Sequence, residues 1–240
     1  MSSPKVLVTG GRSAIGAAVI DQALNEGSSI FATSSNCEHV ESSQESGSSV
    51  DWLHWNPSDL SSIKNLVRDL GERTKELDGV VICGALPYGG LLTQTSISAL
   101  REVFEYNFFS QIALIQEVWK LLRKSSTSPS VVFVSSTVTA HPMPGYGAYG
   151  SSKIAVEYCA QVLSQELKHF GIRFNSVLPG LTESPMMRSM DEKSRITFLQ
   201  RTNSQRVATP SEIAKLICFL ISPQSSYISG QSIHVDGGYF

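Results

Sequence analysis

Residues 5–27 read KVLVTGGRSAIGAAVIDQALNEG, and this stretch decides the fold. KVLVT is a short β-branched apolar run, the pattern of a buried strand. AIGAAVIDQALNEG has helical spacing and ends on Gly27, a fitting residue just past a helix end. Between them, TGGRSAIG (9–16) turns a strand directly into a helix. Gly10 and Gly16 allow a tight turn and close helix–sheet packing, and Ala14 stands where a middle glycine is common but still keeps the backbone near a bound group. The free N–H groups of the helix start, around Ser13 and Ile15, suit a pyrophosphate. A purely structural turn would look similar; its place at the head of a strand–helix series favours nucleotide binding.

The same alternation runs outward along the chain. Strands are expected at 28–33, 50–55, 79–83, 130–136, 172–178 and 232–238. Helices are expected at 59–77 behind an aspartate cap, at 96–124, at 148–171 and at 211–221. Continuous apolar strands alternating with helices predict an α/β chain, a doubly wound Rossmann-type parallel sheet of about seven strands with helices on both faces. Residues 1–240 read as a single domain. ESSQESGSSV (41–50) reads as a surface loop. Residues 181–210 interrupt the alternation, and their proline, paired methionines and mixed charge suit a mobile lid over the site.

Composition narrows the classes. A formal net charge of −2 without basic runs gives no footprint for nucleic acid or an anionic membrane. No apolar stretch approaches the roughly 20 residues of a spanning helix, and no secretory signal is read at the start, so a cytoplasmic protein is expected. Cys37, Cys83, Cys159 and Cys218 lack metal-ligand spacing and are expected to be free thiols, with no metal site.

Dinucleotide sites that take NAD often carry an acid at the end of the second strand, on the ribose 2′-OH. Here that end reads ATSSN (32–36), without a carboxylate. Thr33 and Ser34 tolerate a 2′-phosphate and Arg12 in the turn supplies a positive partner, so NADP(H) is expected ahead of NAD(H).

Beyond the turn, GYGAYGSSK (145–153) places Tyr149 four residues before Lys153, one helical turn apart. Tyr146 lies between two glycines ahead of the helix and is expected to line a pocket or pack on the loop. Together TGGRSAIG, EYNFF around Asn107, VSS ending at Ser136, YGSSK, VLPGLTESPM (177–186) and YISGQSIHVDGG (227–238) resemble the short-chain dehydrogenase/reductase family over essentially the whole chain. Its 3-oxoacyl-carrier-protein reductase branch is the most similar.

The resemblance implies a ketoreductase. A free tyrosine has a pKa of about 10. A nearby ammonium, together with a nicotinamidium in the oxidised complex, is expected to lower it, and a shift of about 3 units needs about 4 kcal/mol. Tyr149 is then the proton donor in reduction and the base in oxidation. Lys153 also holds the nicotinamide ribose, Ser136 hydrogen-bonds the substrate oxygen, and Asn107 holds a water linking Lys153 to solvent. Ala85, Pro179, Gly180 and Ser184 carry over as cofactor contacts, and Asn56 stands where an aspartate often binds the adenine amine.

Two departures stand out. The family's Asn-Asn-Ala-Gly is ICGA here (82–85), removing bonds that brace the sheet. The arginines that dock an acyl carrier fall at Thr127 and Phe170, with Arg123, Lys124, Lys168 and His169 nearby. The expected substrate is the 3-keto group of an acyl thioester, carrier-bound or small, facing 86–90, 137–145 and the lid. A reductase or dehydrogenase of a free alcohol, ketone or sugar, and a non-catalytic nucleotide sensor or scaffold, are the alternatives. The resemblance also implies a homotetramer or homodimer through helices 96–122 and 149–169; Ile112, Ile115, Trp119, Val156, Ala160 and Leu163 fit such an interface and equally fit ordinary packing on the sheet.

Overall fold

Parallel strands cannot be joined by tight hairpins, so each needs a crossover, and the spacing of the apolar runs supplies one each time. The structure, a computed structural model, describes residues 3–38, 40, 49–188 and 190–239. Its strands are β1 (Lys5–Thr9), β2 (Ser29–Ser34), β3 (Val50–His54), β4 (Gly79–Ile82), β5 (Ser130–Val134), β6 (Arg173–Pro179) and β7 (Ser232–Val235). All pair in parallel, in the order β3-β2-β1-β4-β5-β6-β7. The order reverses between β1 and β4, which opens a crevice at the carboxyl ends of the strands. This is the doubly wound sheet expected from the sequence. Most of the expected loop at 41–50 lies outside the described residues.

The helices are α1 (Ala14–Asn25), α2 (Ser62–Arg73), α3 (Ile97–Phe104), α4 (Ser110–Leu122), α5 (Gly147–Glu166), α6 (Pro185–Arg188), α7 (Glu192–Gln200) and α8 (Pro210–Ile221). One face of the sheet packs Leu66, Leu70, Leu114, Val118 and Val156 from α2, α4 and α5 against Leu7, Val80 and Val131. The other packs Val19, Ile20, Ile213 and Ile217 from α1 and α8 against Val6, Val81 and Val132. No helix among the described residues is long and apolar enough to cross a membrane.

Three local readings are corrected or narrowed. Asp59 does not cap α2; its carboxylate accepts from the Ser61 N–H and hydroxyl and makes a turn ahead of the helix. The long helix at 96–124 is interrupted by a π turn at Glu105–Phe109, which splits it into α3 and α4. Of the two readings open for Ile115, Val156 and Ala160, a partner interface or packing on the sheet, the structure takes the second: all three are buried in the core. Ile112, Trp119 and Leu163 remain half-buried, and the exposed apolar side chains of these helices are instead Ile97, Phe109, Ile154 and Tyr158.

Candidate active site

The turn after β1 is shaped by backbone contact. Gly10 has φ +60, and a Cβ there would lie 2.6 Å from the Gly84 nitrogen at the end of β4. Only glycine permits both the conformation and the approach. A Cβ on Gly16 would lie 2.3 Å from the Gly10 carbonyl oxygen, so Gly16 serves helix–turn packing and lines neither cavity described below. The Ser13 hydroxyl caps α1 by accepting from the Gly16 N–H at 3.0 Å. The first two N–H groups of α1, on Ala14 and Ile15, have no acceptor within the helix.

Two cavities share Arg12, Ser13 and Ala85. The first, about 380 Å³, is lined by Thr9, Gly10, Thr33, Ser34, Ser35, Asn36, Trp55, Pro57, Gly84, Tyr106 and Gln111 besides those three. Arg12 is its one charged lining residue; the guanidinium is exposed and makes no hydrogen bond or ion pair among the described residues. Asn56 is not brought to this wall. Its amide oxygen accepts from the Ser58 N–H at 3.1 Å, while its neighbours Trp55 and Pro57 line the cavity. Thr9 Oγ1 and Trp55 Nε1, in two of the lining residues, are buried without a partner among the described residues.

The second cavity, about 350 Å³, gathers Ser136, Tyr149, Lys153, Pro179, Gly180 and Ser184, with Ile15 and Cys83 at its inner side. Its outer wall is apolar: Val138, Met143, Tyr146, Leu181, Met187, Met190 and Phe198. Several of these come from 181–210, whose two ends are tied by the Ala208 N–H to the Leu181 carbonyl at 2.9 Å and the Glu183 N–H to the Ala208 carbonyl at 3.0 Å.

Lys153 is 1% exposed, and its ammonium donates to the Val134 carbonyl at 2.8 Å. Burial pulls its pKa down to about 8, against the opposing pull of Cys83 and Glu157. Glu157 is itself fixed by the Ser135 hydroxyl. In the protein alone, Tyr149 is governed by burial. Burial, helped by the Tyr146 phenol, pushes its pKa up to about 12, although a hydrogen bond from Ser136 works the other way. Lys153 Nζ lies 5.9 Å from the Tyr149 ring centroid and spends a donor on Val134. In the protein alone the phenol therefore holds its proton more firmly than free tyrosine does.

Asn107 sits in the π turn and lines neither cavity. Its side chain accepts from the Leu86 N–H at 2.7 Å and donates to the Leu86 carbonyl at 3.0 Å and the Ser152 hydroxyl at 3.1 Å. Both amide protons are thus used on protein, and the side chain clamps the 86–90 loop to the helix that carries Tyr149 and Lys153. A water held by this side chain would have only the second lone pair of the amide oxygen.

Gln111 was not anticipated. Its amide donates to the Gly84 carbonyl at 2.9 Å and braces the end of β4, where the family's asparagines are absent. A glutamine on an otherwise apolar helix gives no sequence signal for such a bond.

The residues present fit a nicotinamide dinucleotide: a glycine cradle that a Cβ would fill, free helix N–H groups, a carboxylate-free first cavity and a second cavity with a phenol and an ammonium. A family model described as enoyl-(acyl carrier protein) reductase matches residues 10–240. The chain is 31% identical over 236 residues to the 3-oxoacyl-[acyl-carrier-protein] reductase FabG of Thermotoga maritima, covering 97% of this chain and 96% of that one. It is 26% identical over 249 residues to the vibriobactin-specific 2,3-dihydro-2,3-dihydroxybenzoate dehydrogenase of Vibrio cholerae, covering 98% and 95%. A crystal structure of a short-chain dehydrogenase/reductase from Brucella melitensis, titled glucose/ribitol dehydrogenase, superposes with a TM-score of 0.90 at 23% identity, covering 99% and 96%.

Proposed function

The chain belongs to the short-chain dehydrogenase/reductase family, and we propose that it is an NADPH-dependent ketoreductase acting on the 3-keto group of an acyl thioester. The observation that carries this reading is the second cavity, where Ser136, Tyr149 and Lys153 face an apolar wall of Met143, Leu181, Met187 and Phe198. A polar carbonyl end and an apolar acyl end would each find a matching surface there.

NADPH, when bound, supplies the hydride. The first cavity suits its adenosine half: among the described residues no acid lines it, and the Arg12 guanidinium is free to pair with a 2′-phosphate. Ser136 orients the substrate oxygen and stabilises the charge that develops on it. Tyr149 then donates its phenolic proton to that oxygen. Lys153, held by Val134, stabilises the phenolate left behind. Asn107 is a positioning residue that keeps the 86–90 loop and the helix carrying this pair together.

A second reading, reduction of a free small ketone or oxidation of the matching alcohol, is favoured by Thr127 and Phe170. They occupy the places of the carrier-docking arginines, and Phe170 is exposed with its ring against Trp119. NADPH oxidation with an acetoacetyl thioester, its carrier-protein form and a panel of free ketones separates the readings. Turnover of the thioesters is expected, and turnover confined to free ketones would replace the first reading with the second. No turnover with any of them, together with tight NADPH binding, would favour a sensor. We further propose a homotetramer, with Phe109, Ile154 and Tyr158 as contact residues; a monomer by light scattering would refute it.

A further inference from the structure

Outside the catalytic wall, the fold brings together three ligating side chains that are far apart in sequence. His141 follows the Ser136 segment, His234 lies on β7, and Asp236 lies just after it. One potential ligand atom from each falls within 4.8 Å of the others, the one such group among the described residues. We propose that His141, His234 and Asp236 form a binding site for a transition-metal cation of the zinc class.

The carboxylate is already aimed. Gly237 at φ +69 and Gly238 at φ +77 turn the chain back so that Asp236 Oδ1 accepts from the Gly238 N–H at 3.0 Å and the Tyr239 N–H at 3.4 Å. Its second oxygen, Oδ2, faces the Thr137 hydroxyl at 3.2 Å and His234 Nδ1 at 3.0 Å. Hydrogen-bonded support of this kind is what holds metal-ligating carboxylates in place.

The spacing fits a cation. Zinc bonds nitrogen and oxygen at about 2.0–2.1 Å, so tetrahedral ligands stand about 3.3 Å apart. The pair His234 Nδ1 and Asp236 Oδ2 is near that separation already. His141 makes only ring contacts, with centroids 6.0 Å from His234 and 5.0 Å from Tyr239, and its nitrogens have no partner among the described residues. Its ligating nitrogen lies within 4.8 Å of the other two ligand atoms, so it must close by at most about 1.5 Å to stand at the third position. Two imidazoles and one carboxylate select zinc and its neighbours over magnesium or calcium, which take oxygen ligands. His234 is partly exposed, so a path in exists.

The site would tie β7 to the segment that carries Ser136 and Thr137. Tyr239 extends the contact to the 181–210 segment, with its ring 4.6 Å from that of Phe198. A bound cation would brace the wall of the second cavity from behind without touching it.

The test is calorimetric titration of zinc chloride alone into the full chain, stripped with chelator and carrying Cys37→Ser to remove an exposed thiol. One equivalent is expected to bind. His141→Ala and His234→Ala should each weaken it at least about 10-fold, since losing even a supporting partner costs that much. Cobalt in place of zinc should give the visible absorption of a four-coordinate site, lost in both variants. His141→Ala is the decisive one, because it leaves the His234–Asp236 bond intact. Circular dichroism checks that the variants fold, with His141→Gln in reserve. No uptake at millimolar zinc, or uptake unchanged in the His141 variant, would overturn the proposal.

Discussion

The two cavities open from the same edge of the sheet, yet their polar groups live in different surroundings. Around the second cavity Tyr149 is 8% exposed and Lys153 1%, and both are held within the core. Around the first, Arg12 and Ser35 are exposed, and the Arg12 guanidinium has no partner among the described residues. Where chemistry needs a proton donor in one place, packing and buried hydrogen bonds set the position. Where the task is to hold a charged group, an exposed cation on a rigid turn suffices. Substitutions in the two cavities should therefore fail differently: lost turnover in one, lost affinity or selectivity in the other.

The sharpest way to break that contrast is Tyr149→Phe. It removes one hydroxyl from a buried ring and leaves the first cavity untouched. Turnover should fall by about 10²–10⁴-fold, the range for loss of a general acid. The dissociation constant for NADPH, measured by fluorescence titration, should change by no more than about twofold. Retained turnover would remove Tyr149 from the mechanism. A large loss of affinity would show that the two cavities are not separable.

Next in size is Arg12→Glu, at a residue that borders both cavities but is the one charged side chain described in the first. A charge-assisted hydrogen bond is worth about 1.5–3 kcal/mol, so the ratio of kcat/KM for NADPH over NADH should drop by roughly 10- to 100-fold. Turnover at saturating cofactor should hold. An unchanged ratio would mean that Arg12 is a solvated loop arginine and that Thr33 to Asn36 set the preference.

The sheet and the glycine turn were legible because period and spacing encode them directly: an apolar run such as Val131 to Val134 can only sit in a buried strand beside its helices. Tyr149 and Lys153 were legible because four residues on a helix fix their proximity. What the sequence did not announce depends on long-range contacts. The π turn at Asn107 shows in the bonds to Leu86 and Ser152, made by residues distant in the chain. The rise of the Tyr149 pKa in the protein alone depends on burial, which spacing does not report. Ile115 and Val156 looked available for a partner because an apolar helix face carries no mark of which neighbour covers it. The convergence of His141, His234 and Asp236 needs β7 placed beside β6, a pairing that only the folded sheet supplies.

Gln111 lets the contrast between the cavities be refined at its finest scale. The residue is 2% exposed on α4 and lines the first cavity, but it acts like a core group there. Its amide holds the Gly84 carbonyl at 2.9 Å. The Gly84 backbone in turn abuts Gly10, where an added Cβ would come within 2.6 Å of the Gly84 nitrogen. The chain of contact runs from α4 to the end of β4 to the glycine turn, so Gln111 is expected to act as a positioning residue for the width of that turn. Gln111→Met keeps length and volume and removes the donor. Loss of a typical net hydrogen bond, about 0.5–1.5 kcal/mol, predicts a rise of about 2- to 10-fold in KM for the dinucleotide. If the bond acts through the turn, kcat should stay within about twofold, because Ser136, Tyr149 and Lys153 take their positions from other contacts. A variant that loses kcat in step with KM would show instead that the brace on β4 serves the whole sheet edge, and the two cavities would then share one mechanical support.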